Sequence, residues 1–346
     1  MRFFQNVAIK YHIQPALLPQ TESAWLAIIE PLLFTEPHPT VVSKQGFFPT
    51  DFDGKPLLIA NRAVFLRVIN YKKELPKTQY LDAYKEQEQA EMTRLDRPLS
   101  VDEQLRLSEK VTLELLPSAP PSWTLTQMLV DLDNGLVMVD ASSDQAVDLC
   151  LQQLRLALDT LPVKPPYCDG DAAGVTLAKS ARLVEKKNES GKVNGLGWQL
   201  PLPAFFGHGD ALQLRHAREK HQKNRSANIP FDDESIQRLL SGGFVVQEIG
   251  LHLEHYMEFR LTDKLTLKRV KWDLAEELEQ LIPNGDDDNP TLSYQLTCLA
   301  LMVQLLRYVI PALLKHCQCV DSGLWLTGFA EPESLATLIE QTKKAL

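Results

Sequence analysis

One stretch limits what this chain can fold into more than any other. Leu296 to Leu314 is almost continuously apolar and about long enough to cross a bilayer. Such a segment has two homes, lipid or a protein core. Gln304, Arg307 and Pro311 lie towards its middle and end, and a guanidinium at bilayer depth is costly. The reading is therefore a buried core or interface helix over Thr291 to Lys315, with no membrane partner. The rest of the chain must supply the apolar surface that covers it. With 346 residues, 44% of them apolar and 23% charged, the chain has enough material for two or three compact units with cores.

The periodicity elsewhere predicts an α+β fold of antiparallel sheets with packed helices. Phe3 to Tyr11, Val41 to Phe48 and Leu57 to Ile69 read as strands, and Thr21 to Leu33 as a helix with Trp25, Ile28, Ile29 and Leu32 on one face. Leu125 to Leu132 and Leu136 to Val139 read as a hairpin closed by Asp133-Asn134-Gly135, because Asn-Gly suits a tight hairpin turn. Ala146 to Leu161 is an amphipathic helix. Phe244 to Leu253, Tyr256 to Leu261 and Leu265 to Trp272 read as three further strands. Between the first strands and the hairpin runs a polar helical stretch from Thr78 to about Leu95. Pro98 interrupts it, and Ser100 with Glu103 restarts it through a capping box. It carries too few apolar residues to be buried on all sides and reads as a projecting arm. The expected organisation is an N-terminal α+β unit from residues 1–77 and 117–165, the arm at 78–116, and a C-terminal α+β unit at 166–346.

Catalytic signatures are missing. Gly191 to Gly197 is glycine-rich but lacks the Lys-Ser/Thr ending of a phosphate loop. His252 and His255 sit at strand spacing that points them apart. His316-Cys317-Gln318-Cys319 has no second pair to complete a metal site. Asp131, Asp133 and Asp140 are near one another in sequence, but Asp133 is explained by the turn. The acidic loop Asn284 to Pro290 does not follow a calcium-loop pattern. The expectation is a protein that is not an enzyme and needs no cofactor. Five cysteines, an odd and scattered set, do not form a disulfide framework and suggest the cytoplasm.

The net charge of −9 argues against an anionic partner, but charge can be segregated. Between Arg215 and Arg225, five cations (Arg215, Arg218, Lys220, Lys223, Arg225) face only one acid, Glu219, and Gln222 adds a donor. Lys268-Arg269-Val270-Lys271-Trp272 is a second cluster. On strict alternation Lys268 shares a face with Val270 and Trp272, and Arg269 shares the other with Lys271. Lys72 and Lys73 sit at the root of the arm, and Arg94 and Arg97 near its tip. None of these sites shows base-reading logic, so contact would be with the nucleic-acid backbone.

Several segments resemble the RdgC family. They are Phe3-Phe4-Gln5-Asn6-Val7, Gly46-Phe47-Phe48-Pro49, Leu75-Pro76, Leu115-Leu116-Pro117, Asn134 to Asp140, Leu161-Pro162-Val163 and Leu267 to Trp272. Their order and spacing match from residue 1 to about 315. The resemblance implies a horseshoe-shaped subunit of a ring dimer. Double-stranded DNA, with single-stranded DNA as a second ligand, would bind in the ring without sequence preference. It further implies restraint of RecA-mediated recombination, support of replication and association with the nucleoid. It carries DNA-binding roles onto Lys73, Arg97, Lys220, Gln222, Lys268, Arg269 and Lys271, and the local charge adds Arg215, Arg218 and Lys223. The arm resembles the family's projecting finger, which implies a part in ring closure or DNA contact.

The chain also departs from the family. Ser118-Ala119-Pro120 stands where the family carries Arg-Ala-Phe, a spot suited to a subunit contact. The stretch from Arg215 to Phe231 and the tail after Cys319 are unusual. The alternative reading is a protein-interaction module of the same fold with weak or no DNA binding. A magnesium-dependent nuclease using Asp131 is a third.

Overall fold

The computed structural model describes residues 3–12, 15–50, 54–161, 163–164, 167–168, 171–172, 182–187, 193–199, 206–216, 218–219, 221–227, 234–253, 255–263, 266–274 and 290–316. The acidic loop 284–289, Cys317, Cys319 and the tail that follows lie outside them.

The N-terminal half runs β1 (Asn6–His12), α1 (Glu22–Ile29), β2 (Ser43–Phe47), β3 (Leu58–Ala60), β4 (Ala63–Lys73), α2 (Lys77–Leu95), α3 (Val101–Leu115), β5 (Pro121–Asp131), β6 (Leu136–Val139), α4 (Asp144–Leu158) and β7 (Val163–Lys164). Two small hairpins follow, β8 (Tyr167–Cys168) with β9 (Asp171–Ala172) and β10 (Arg182–Lys187) with β11 (Val193–Gln199). Then come β12 (Phe206–His216), β13 (Lys223–Ala227), α5 (Glu234–Ser241), β14 (Phe244–Leu253), β15 (Met257–Thr262), β16 (Leu267–Trp272) and α6 (Pro290–His316).

Twelve of these strands form one antiparallel sheet in the order β13-β12-β14-β15-β16-β1-β6-β5-β4-β2, with β3 on β4 and β7 on β1. The seam between the two halves is β1. Its start pairs with β16 (Asn6↔Lys268, Val7↔Leu267) and its remainder with β6 (Ala8↔Val139 to Tyr11↔Leu136). The first strand of the chain thus holds the last one in place. Trp272 reinforces the seam by donating its indole N–H to the Phe4 carbonyl at 2.7 Å.

Alternation along β1 explains why the sheet needs helices on both sides. Val7 and Ile9 point into one core, shared with Phe65, Leu129 and Met138, with the inner faces of β12 to β16, and with α6. Ala8 points into the other, where Val64, Leu66, Met128 and Val137 meet Trp25 and Ile29 of α1 and Cys150, Leu151 and Leu154 of α4. By length and composition the window Tyr294–Pro311 of α6 passes as a membrane span, yet 61% of it is buried inside the protein. Its Arg307 is neutralised there. The guanidinium donates twice to Asp131, at 2.6 and 2.9 Å, and once to Asp133 at 3.1 Å. Asp131, fully buried, also accepts from the Asp133 and Asn134 backbone N–H groups.

Two local expectations need correction. The single strand expected over Leu57 to Ile69 is a hairpin, β3 and β4, turned at Asn61 and Arg62. Both have positive φ (49° and 54°), as a two-residue turn matched to strand twist requires. Arg62 lacks the usual glycine signature and is held by Asp133 (2.5 Å) and Gln20 (2.8 Å). Strict alternation also fails in β16, where Lys268↔Arg260 and Lys271↔Glu258 leave Arg269 and Val270 together opposite Phe259. Arg269 takes a positive φ of 52°. This β-bulge lets Leu267 and Val270, three residues apart, both be buried.

Candidate nucleic-acid interface

The bulge decides where the cations of β16 go. With the extra residue absorbed, Val270 faces the core beneath α6, and Lys268, Arg269 and Lys271 remain on the solvent side. Residues directly opposite across strands share a face. The face turned away from α6 therefore carries Lys223 and Arg225 of β13, Arg215 and Gln213 of β12, Glu248 of β14, Glu258 and Arg260 of β15, and Lys268 and Lys271 of β16. The segment around residues 215–225 is part of this surface, a β12–β13 hairpin rather than an irregular loop. The His216 N–H bonds to the Gln222 carbonyl at 3.0 Å, and the Glu219 N–H to His216 Nδ1 at 2.9 Å.

Acids on the same face divide its cations into two groups. Arg260 donates to Glu248 at 3.0 Å, and Arg215 reaches Asp263 at 3.4 Å, with all four side chains at least two-thirds buried. Lys271 pairs with Glu258 at 2.8 Å, but both remain open to solvent, at 78% and 63%. An exposed pair of this kind contributes about 0–1 kcal/mol, so its lysine can exchange the carboxylate for a phosphate. The Lys271 ammonium also holds the Glu258 carboxyl below its ordinary range. Among the described residues no carboxylate pairs with Arg218, Lys223, Arg225, Lys268 or Arg269. Arg218, Lys223, Arg225 and Arg269 are exposed and Lys268 half-buried. Gln222 turns its amide to Glu219, and Lys220 lies outside the described residues.

The two arm positions are placed elsewhere. Lys73, expected on the DNA-facing surface, is buried. Its ammonium donates to the carbonyls of Pro39 (3.0 Å), Leu116 (3.0 Å) and Pro117 (3.3 Å), tying the arm's return to β4. A cation among the last carbonyls of a helix meets its negative end. Arg97 is exposed at the arm tip but forms a two-pronged pair with Glu103 at 2.7 and 2.9 Å. From Lys77 to Leu115 the arm carries nine acids against six bases, so the arm as a whole repels phosphate. Arg225 was not singled out as a binding position from sequence. Its place opposite Gln213 puts it on the basic face.

Among the described residues there is no group of three or more His, Cys, Asp or Glu able to share an ion. Asp131 is consumed by Arg307 and by the turn.

A family model described as "Putative exonuclease, RdgC" matches residues 2–176 and 198–319. This chain belongs to the RdgC family. Among relatives named "Recombination-associated protein RdgC", that of Psychromonas ingrahamii is 24% identical over 316 residues, covering 90% of this chain and 97% of its own. That of Pseudomonas aeruginosa (strain LESB58) is 27% identical over 268 residues, covering 75% and 79%. That of Cupriavidus pinatubonensis is 28% identical over 228 residues, covering 65% and 70%. The RdgC match skips the middle segment and stops before the tail, and it includes β12, β13 and β16, the strands that build the basic face.

Proposed function

We propose that this RdgC-family protein binds double-stranded DNA without sequence preference, as a ring-shaped dimer of horseshoe subunits in the nucleoid. It restrains RecA-mediated recombination by occupying the same DNA, and supports replication by that route. The observation that carries this reading is the basic face, where Arg218, Lys223, Arg225, Lys268 and Arg269 have no carboxylate partner among the described residues. Lysines and arginines on strands contact phosphate as point charges or forks, and nothing on this face is arranged to read base edges.

The test is duplex binding across a salt series. Each phosphate contact adds about 0.9 to the log–log slope. The triple variant Lys268→Ala/Arg269→Ala/Lys271→Ala should lower the slope by about 2 to 3, equally on unrelated sequences. Loss of binding with no change of slope would remove these residues from the DNA. No binding by the wild type at low salt would favour the protein-interaction reading, which the net charge of −9 and the paired cations support. An exonuclease reading is favoured by the family description alone. Release of nucleotides from a labelled duplex with magnesium or manganese, lost in a carboxylate variant, would establish it.

A further inference from the structure

β10 and β11 form a two-stranded antiparallel sheet of their own, and neither strand joins the large sheet. The RdgC match breaks off at residue 176 and resumes at residue 198. All of β10 and most of β11 therefore lie outside the family pattern. The hairpin also contains most of the glycine-rich run from Gly191 to Gly197, which lacks a phosphate-loop ending and has so far had no role.

Register sorts its residues into two unlike faces. Positions alternate between faces along a strand, and directly paired positions share one. Leu183↔Trp198 and Glu185↔Leu196 belong to one face, which is mostly apolar. Arg182↔Gln199, Val184↔Gly197 and Lys186↔Gly195 belong to the other. That second face holds two cations and an amide, and two of its three β11 positions have no Cβ. Glycine weakens a strand, and it marks a bulge or a place where a ligand or another backbone comes close. The hairpin's register shift falls between Lys186 and Lys187 and leaves Gly197 unexplained. Charge points to the kind of ligand. In a chain of net charge −9, β10 and β11 carry Arg182, Lys186 and Lys187 against Glu185 alone.

We propose that the β10–β11 hairpin is a second DNA-contacting element, a ribbon that lies in the major groove of duplex DNA on its Arg182, Lys186, Gly195 and Gly197 face. The strands are six and seven residues long, about 20 Å, and a pair of strands is about 4.8 Å across at the backbone. The major groove, about 12 Å wide, admits a two-stranded ribbon, and the minor groove, about 6 Å wide, is too narrow for one. Bare glycine positions let the main chain sit deep between the groove walls, and the cations of β10 meet the phosphates along them. The inference rests on the DNA-binding reading, to which it adds a contact separate from the basic face of the large sheet.

The experiment compares duplex binding across a salt series for the full chain and three variants. Arg182 and Gln199 are paired, with Cα atoms about 4.5–5.5 Å apart. Residues 183–198 can therefore be replaced by two linker residues without stretching the chain. The shortened protein, its folding checked by its urea midpoint, should lose about 2 to 3 from the log–log slope, and Lys186→Ala/Lys187→Ala about 1 to 2. Gly195→Val/Gly197→Val keeps every charge and suits a strand, yet should weaken duplex binding at least tenfold. The wild type should shield guanine N7, on the major-groove edge, from dimethyl sulfate, and the shortened protein should not. A folded shortened protein with the wild-type slope, or a valine variant with wild-type affinity, overturns the ribbon. If Lys268→Ala/Arg269→Ala/Lys271→Ala still lowers the slope in that case, the DNA-binding reading stands and the ribbon alone falls. No duplex binding by the wild type at low salt overturns both.

Discussion

Lys73 shows how little a side chain's type says about its role. A lysine beside an exposed arm reads as a surface cation, yet here its ammonium closes three carbonyls at the point where the arm returns to the sheet. Lys73→Met should leave the DNA salt slope unchanged while lowering unfolding free energy by about 1–3 kcal/mol, the usual result of stranding buried acceptors. Urea unfolding and the salt series together check it. Asp131 is the counterpart on the acidic side. Asp131→Asn should leave DNA binding in place and destabilise the fold by about 3 kcal/mol, because Arg307 loses a buried partner. Cys150 lies in the core under α4, where burial pushes its thiol up to about 12. It should resist iodoacetamide at pH 8 in the native protein and react only as the protein unfolds in urea, followed by peptide mass spectrometry.

At the scale of elements, the arm is a helical hairpin that makes most of its contacts with itself. Leu107 and Val111 are its buried residues, Tyr80 bonds Ser108 at 2.7 Å, and Gln87 donates to Glu114 at 2.7 Å. Its tip is fixed by one carboxylate. Glu103 accepts two bonds from Arg97 and one from the Ser100 N–H, and these pull its pKa from 4.5 down to about 2. A depressed carboxylate contributes stability that is fully present above its unfolded value and lost as pH falls through the folded one. The tip should stay capped on acidification past 4.5 and fray only as pH approaches about 2. Carbon-detected NMR of the Glu103 carboxyl measures this, and Arg97→Ala should move its titration upward. The capping box was legible in the sequence, because Ser100 and Glu103 interact within one turn. The β3–β4 turn and the β16 bulge were not. Each places a non-glycine residue at positive φ, which local propensity disfavours and the surrounding strands enforce.

At the scale of the whole molecule, β1 makes one sheet of what composition reads as two units. Because the halves share a strand and a core, they should unfold together. Tryptophan fluorescence and far-ultraviolet circular dichroism should give coincident urea transitions, and separate midpoints would show that the seam is weak. The RdgC family membership, the α+β character and the burial of the 296–314 segment were readable from residue order, since each rests on local pattern or on many short matches. The sequence by itself determined most strands and helices of the N-terminal half and the last three strands, though not β10 to β13, that a long apolar helix must be covered, and where cations concentrate. Only the tertiary structure decided which cations face solvent. Strand pairing brought Glu258 to Lys271 and Asp263 to Arg215, a one-residue bulge turned Val270 inward beside Arg269, and the fold closed over Lys73. Charge pairing and burial depend on contacts between residues far apart in the chain, and periodicity along the chain carries no record of them.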